Sequence, residues 1–544
     1  MSAVPPRGTG FDVLVVGAGP TGLLAACELL RRGVRVRLVD RAVEPATVPK
    51  ALSIWPRALD VLADAGVYDG VYRESRPITA LSYFSDRRPL ASFELGQDVA
   101  CRTLPQHVTE RLLTERLHAL GGRIERGVRL SALDDGDGAG ADDPDHAGDA
   151  GVTALLEHAG GVERALVPYV IGADGASSTV RGLLGVGFHG TTYELAFALI
   201  DTHVEGSLPD GESLFYQSPS GALVIVPMPD GVYRFLSVMP SDAREVNVPM
   251  MQAIVDERGP RGVRLTDPVS QAVFRVHARQ ATDFRRGRVF LIGDAAHVHS
   301  PAGGQGMNNG MQDAHNLGWK LAAVLKGESP DSLLRTYGSE RAEATRRIVR
   351  DTDLQTRVWV ADHPAKVLAR DVAFRLLDRS GVVSRFYAPV MAGRRLAYPP
   401  VRDTQLPSGW SACRLRGRLP GGLRVGAVFP RRLAVRYGVS GPRVDPAKWT
   451  VVAVPRSRAP GWPAEVERVA ARWPQARVAL VPHRDAGVVT GCGRTGFYLV
   501  RPDGHIAAHG HRADLNRLRT ELEGVLVPVA AESAEELAVS ILDA

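Results

Sequence analysis

Lysine is nearly missing from this chain. Five occur in 544 residues, at positions 50, 320, 326, 366 and 448, although arginine and lysine together number 66. Such a bias follows genome composition more readily than function. The net charge is +6, and nearly all of the positive charge is arginine. No basic block with interleaved aromatics is present, which argues against a nucleic-acid partner. Cysteine is equally scarce: Cys27, Cys101, Cys413 and Cys492. None form a CxxC pair and no Cys/His group has zinc spacing, so no metal site is expected. A reduced, cytoplasmic protein is the natural expectation. There is no apolar run long enough for a membrane-spanning helix, so none is expected. The opening MSAVPPRGTG lacks the apolar centre of a signal peptide.

What is present has an ordinary globular balance, with 44% hydrophobic and 23% charged residues. The length predicts two or three domains. Residues 11–40 read as strand, helix and strand: FDVLVVG, then GPTGLLAACELLRRG, then VRVRLVD. Residues 131–151, SALDDGDGAGADDPDHAGDAG, are too polar and glycine-rich to build a core. They read as an exposed loop between two strands; EF-hand spacing and its closing glutamate are missing. Residues 188–280 are strand-rich, with a turn at Pro229-Asp230-Gly231. Residues 311–390 read as helical. A Pro/Gly/Arg-rich linker is expected near 400–430. Beyond it the order β, α, β, a hairpin around Pro502-Asp503-Gly504 and a final helix suits a small α/β domain.

Three stretches carry chemistry. In the first, Gly17-Ala18-Gly19-Pro20-Thr21-Gly22 follows a strand and opens a helix, and Asp40 ends the next strand. That context is a dinucleotide fingerprint, whose acid stands about 20 residues beyond the glycines. Gly17 permits the tight turn, Gly19 lets backbone approach a pyrophosphate, and Gly22 allows close helix–strand packing. The helix N-terminus offers N–H groups to phosphates. Asp40 suits ribose hydroxyls and disfavours a 2′-phosphate, leaving FAD or NAD. The second stretch, YVIGADGASSTVRGLLG at 169–185, brings Asp174 to a strand end. The third is GDAAHVHSPAGGQGMNNG at 293–310. Here the strand RVFLIG delivers Asp294, and the glycines from 303 to 310 lead into a helix. Free N–H groups at such a helix start stabilise an anion, and a reduced flavin is one. His297 and His299 are expected to pack and hydrogen-bond rather than act as acid or base.

In order and spacing these stretches resemble the three signatures of the para-hydroxybenzoate hydroxylase-like flavoprotein monooxygenases. The resemblance spans residues 11 to about 345. LVRPDGHIAAHG near the C-terminus resembles the thioredoxin-like domain of phenol hydroxylases and aromatic-polyketide hydroxylases. The resemblance implies an α/β protein with a Rossmann-type FAD-binding domain in two parts, 11–180 and 281–390. An antiparallel-sheet substrate domain at 181–280, a linker at 391–430 and a thioredoxin-like domain at 431–544 complete it. The implied activity is insertion of one atom of O2 into a polycyclic aromatic phenol or quinone through a C4a-hydroperoxyflavin, with FAD as cofactor and NADPH or NADH as reductant. A Baeyer–Villiger oxygenase and a non-catalytic flavin-binding protein are the alternatives. Gly17, Ala18, Gly19, Pro20, Thr21, Gly22, Asp40 and Arg41 are implied at the ADP-ribose half of FAD. Lys50 stands where the family usually has arginine. Gln106, Asp174, Asp294, Pro301, Gly304, Gly306, Met307 and Asn308 are implied around the ribitol and flavin. No catalytic acid or base is assigned. No membrane partner is expected, and a monomer or homodimer is.

Overall fold

The computed structural model describes residues 7–8, 10–45, 51–134, 151–218, 220–240, 245–359, 363–398, 425–455, 461–482, 485 and 495–528. The chain divides into two compact units. The first holds 1–30, 35–314 and 341–394; the second holds 31–34, 315–340 and 395–544. No described helix is long and apolar enough to cross a membrane.

The first unit is built on a six-stranded sheet. Its order is Arg285–Arg286, Val289–Leu291, Tyr169–Gly172, Val13–Val16, Val36–Asp40 and Ile124–Arg126. All neighbours run parallel except the first pair. Val13, Leu14 and Val15 are fully buried, as are Val170, Ile171, Val289 and Phe290. Uninterrupted apolar strands of this kind belong to a parallel sheet covered on both faces. The helix Pro20–Leu30 makes the crossover between Val13–Val16 and Val36–Asp40.

An eight-stranded sheet lies in the same unit. Its order is His297–Val298, Arg264–Ala281, Phe188–Glu205, Tyr233–Val238, Gly221–Pro227, Glu212–Ser218, Ala80–Ser85 and Arg88–Glu94. Every pairing is antiparallel except Glu212–Ser218 with Ala80–Ser85. This corrects the expectation of an insertion confined to 181–280. Two strands come from 80–94 and one from 297–298. The alternation LSYFS and PLASFE in the first of these supplied a strand signal that the insertion reading did not use. The turn at Pro229-Asp230-Gly231 joins two strands of this sheet, with Asp230 in the left-handed region at φ 60°. The low-complexity loop falls between paired strands Arg129–Asp134 and Val152–His158, but its residues 135–150 lie outside the described residues.

The second unit carries a four-stranded sheet ordered Ala476–Leu480, Trp449–Val454, Gly496–Val500 and Ile506–His511. The first pair is parallel and the other two are antiparallel. Trp319, Trp449, Trp462 and Trp473 fill its core with Leu518 and Leu522. A charged cluster is buried here too. Arg501 pairs with both oxygens of Glu340 at 2.6 and 2.9 Å and with Asp503; Lys320 reaches Glu340 at 2.8 Å and Asn316 at 2.9 Å. Burial pushes the Lys320 ammonium down to about 8, against the pull of Glu340. Asp503, read from sequence as a turn residue, is thus a buried ion-pair partner. Much of the expected linker, 399–424, lies outside the described residues, as do Cys413 and Cys492.

Candidate functional site

Strands Val289–Leu291, Tyr169–Gly172 and Val13–Val16 are adjacent and parallel, so their carboxyl ends lie side by side. Those ends lead into Asp294, Asp174 and the Gly17–Gly22 turn. Three segments far apart in the chain therefore meet at one edge. That edge is where open α/β sheets bind ligands.

The glycines at this edge do different work. A side chain on Gly17 would lie 2.4 Å from the Ala173 carbonyl oxygen, and its φ is +105°. One on Gly22 would lie 1.9 Å from the Gly17 oxygen. These two hold backbone against backbone. Gly19 meets nothing within 4 Å, so its missing side chain leaves open space in the cavity instead. Asp40 braces the turn: Ala18 N–H donates to Oδ2 at 2.7 Å and Ala42 N–H to Oδ1 at 2.8 Å.

The third stretch divides the same way. Side chains on Gly293 and Gly310 would strike Thr21 Oγ1, at 2.8 and 2.4 Å. Gly310 therefore seats the helix Gly306–Leu325, and Gly293 the turn after strand Val289–Leu291, against Thr21 of the helix Pro20–Leu30. Gly303 and Gly304 have φ of +73° and +60°, which turns the chain sharply at Pro301–Gln305. Gly306 meets only His299, at 3.9 Å. Asn308, placed by the resemblance on the flavin, is buried and faces away from the cavity. Its Oδ1 accepts from Trp55 N–H at 2.7 Å, and its Nδ2 donates to the Ser53 and Gly304 carbonyls at 2.8 and 2.7 Å. Trp55 Nε1 donates to the Gly303 carbonyl at 2.7 Å. Segments 53–55 and 303–308 are thereby tied together.

The histidines pack, as expected. His297 Nε2 lies 2.6 Å from Asp313, which also accepts from Gly293 N–H at 2.9 Å and Arg341 Nε at 2.6 Å. Burial alone would raise the Asp313 carboxyl; Arg341 and His297 outweigh it and hold it below the ordinary value. This buried group anchors the strand end next to Asp294. Burial pushes His299 down to about 4, so it is neutral above that pH. Its Nδ1 lies 3.0 Å from the Ser300 carbonyl and must carry the proton.

Asp174 accepts from Ser178 Oγ at 2.5 Å and from Thr179 and Val180 N–H at 2.7 and 3.1 Å. It holds the first two N–H groups of the helix Thr179–Leu183, whose N-cap is Ser178. Gln106 accepts from Ala51 N–H at 3.1 Å and donates to Glu110 at 2.9 Å. Lys50 lies outside the described residues.

One cavity of about 740 Å³ joins these parts. Gly17, Ala18, Gly19, Pro20, Thr21, Asp40, Arg41, Gln106, Asp174, Asp294, Pro301, Gly304, Gly306 and Met307 all border it. Gly22 and Asn308 do not, since they serve packing and loop anchoring. The far wall is the eight-stranded sheet and its neighbours, which sequence reasoning did not resolve into residues. Tyr83 stacks on Phe215 at 4.6 Å, and Phe215 meets Trp359 at 5.5 Å. Cys101, Leu236, Phe274 and Met391 also border this end. Arg234 is there too, held by Asp201 through two bonds of 2.7 and 2.9 Å. Burial pushes the Cys101 thiol up to about 12 and raises the Tyr83 phenol, so both stay protonated. The apolar runs GALVIVP and YRFLSV marked these strands, but not which face would look into the cavity. Among the described residues no group of acidic, histidine or cysteine side chains is placed to hold a metal.

The residues fit an extended dinucleotide: an open glycine at a helix N-terminus, an acid at each of three strand ends, and a second open turn beyond. The crevice thus defines a dinucleotide-binding flavoprotein. Comparison with known proteins gives its family. The FAD binding domain family model matches residues 10–352. The chain is 33% identical over 559 residues to 6-methylpretetramide 4-monooxygenase of Streptomyces rimosus, covering 96% of this chain and 95% of that one. Among solved structures, OxyS anhydrotetracycline hydroxylase from Streptomyces rimosus superposes with a TM-score of 0.72 at 27% identity, covering 95% of this chain and 100% of that one. Aklavinone-11 hydroxylase in complex with FAD and aklavinone does so with a TM-score of 0.71 at 27% identity, covering 95% and 99%. The chain belongs to the para-hydroxybenzoate hydroxylase-like flavin-dependent monooxygenases, the aromatic hydroxylases, and its cofactor is FAD.

Proposed function

We propose that this chain takes electrons from NADPH or NADH and inserts one atom of O2 into a polycyclic aromatic phenol or quinone of polyketide type, in bacterial secondary metabolism. The observation that carries the reading is the single cavity whose one end is the dinucleotide edge and whose other end is an aromatic and aliphatic wall. Its aromatic and aliphatic end suits a planar multi-ring substrate. The named relatives support the same substrate class: one acts on 6-methylpretetramide, one on anhydrotetracycline, and one was solved with aklavinone.

Bound FAD supplies the redox chemistry and the reaction with oxygen. The chain's own residues bind, orient and exclude water. The open backbone at Gly19 receives the pyrophosphate. Asp40 and Asp294 would hold the sugar hydroxyls, and the Gly303–Met307 turn would border the ring. Asn308 and Trp55 hold that turn in place. Tyr83, Phe215, Trp359 and Met391 keep the reacting end dry, which protects a reactive oxygen species from water. Phenols donate electrons into their own ring, so we assign no protein base. We read the C-terminal sheet as thioredoxin-like without redox function, because its segment has only Cys492 and no CxxC.

The test is anaerobic flavin reduction by NADPH and by NADH in the presence of polycyclic phenols, followed by oxygenation and mass analysis. A product heavier by one oxygen with its rings intact is expected; an expanded ring would instead indicate Baeyer–Villiger chemistry. Asp294→Ala should purify with little flavin. A fully yellow Asp294→Ala protein would remove Asp294 from the FAD site.

A further inference from the structure

The helix Ser332–Trp359 turns two residues of one face, Gln355 and Trp359, toward the cavity. Gln355 is fixed from behind. Its Nε2 donates to Tyr387 Oη at 2.6 Å, and its Oε1 lies on the Gly303 side. Tyr387 is a suitable partner because burial and the nearby Asp351 push its phenol up to about 12, so it stays a neutral phenol. The helix is also pinned to the glycine-rich turn next door. Thr356 Oγ1 bonds Ser300 Oγ at 2.6 Å. The amide lies along Gly303, whose φ of +73° excludes a side chain, and a Cβ there would sit 3.2 Å from Gln355 Oε1. That oxygen takes no hydrogen bond among the described residues, and it is not sealed away from the cavity. One rigidly held acceptor therefore faces the space between the turn and the aromatic wall.

We propose that Gln355 Oε1 accepts the hydrogen bond of a substrate phenolic hydroxyl and so positions the ring, with Trp359 one turn along covering its edge. This rests on the reading of the site as one for polycyclic phenols. An acceptor on the O–H pulls the proton outward and pushes electron density into the ring, which favours oxygen transfer to the carbons ortho and para to that hydroxyl. Gln355 stays neutral, and no proton leaves the substrate for it. Specificity follows from chemistry: a ring without a donor at that point leaves a desolvated carbonyl oxygen unpaired.

The FAD-loaded enzyme tests this without turnover. Binding of 2-hydroxyanthraquinone and of anthraquinone is measured by the perturbation of the flavin spectrum. The wild type should prefer the hydroxylated compound by about tenfold. Gln355→Met, similar in length but without an acceptor of comparable strength, should bring the ratio close to one. Gln355→Glu keeps an acceptor and should retain the preference, which a merely structural role for the residue would not do. Tyr387→Phe should lower the ratio by freeing the amide to turn. A Gln355→Met enzyme that keeps the preference, or loses affinity for both compounds equally, overturns the contact alone. A wild type that binds neither compound overturns the polycyclic reading and the contact with it.

Discussion

Two strand–loop–helix junctions in the first unit look alike in sequence and are built differently. At Gly17–Gly22 the packing glycines bracket the open one. Gly17 and Gly22 are closed by backbone, and Gly19 between them is free. At 293–310 the packing glycines stand at the two ends, where Gly293 and Gly310 meet Thr21, and the open or left-handed ones lie inside. Thr21 belongs to the first junction and fills the gaps of the second. One small β-branched residue thus sets the spacing between the two helices whose starts border the cavity. The difference teaches that glycine content alone does not mark ligand contact. What decides is whether the absent side chain would have met protein or empty space.

The comparison can be broken most severely at Gly22. Gly22→Ala puts a methyl group on backbone that cannot yield, and should cost more than about 3 kcal/mol; a large drop in melting temperature and in bound flavin is expected. Gly310→Ala should cost about 2 kcal/mol. Here the obstacle is a side-chain oxygen, so combining it with Thr21→Ala should recover part of the loss. Additive penalties in that double-mutant cycle, measured by denaturant unfolding, would refute the shared contact. A third test concerns pH. His299 titrates near 4 in the fold and near 6.5 unfolded. The unfolded chain therefore binds the extra proton first, and stability falls as pH drops from about 6.5 to 4, by about 3 kcal/mol. His299→Gln should remove that part of the acid dependence in urea unfolding. The smallest effect on stability is expected at Gly19. Gly19→Ala should change unfolding free energy by less than about 0.5 kcal/mol, yet weaken FAD binding tenfold or more, as read by flavin titration of the apoprotein. Unchanged FAD affinity would show that the open space at Gly19 is not used.

The dinucleotide edge was legible because its signals are local. A glycine pattern, a strand before it, a helix after it and an acid at the next strand end all lie between positions 11 and 40. Asp294 was legible for the same reason. The substrate wall was not, because cavity-facing and core-facing residues alternate on the same apolar strands. Tyr83 and Phe215 sit on paired strands that are distant in sequence, and only the pairing brings the rings together. The strands at 80–94 were missed as sheet members because their parallel partner at 212–218 is equally remote. The side-chain ties of Asn308 were hidden for a related reason. Sequence placed it beside the flavin turn, but its partners at 53 and 55 lie near the other end of the flavin-binding chain. Asp313, Arg341 and Glu340 were not singled out at all, since acids and arginines on a helix usually face solvent.

The tie between Asn308, Trp55 and the turn at 303 has a kinetic consequence. Three hydrogen bonds join two segments that would otherwise fluctuate independently, and a fourth, from Asn308 to Gly304, closes the turn on itself. Opening either segment exposes buried backbone on both, so the two should open as one cooperative unit. Amide protons of residues 53–55 and 303–309 would then exchange with solvent at a common opening rate, although they come from opposite ends of the flavin-binding chain.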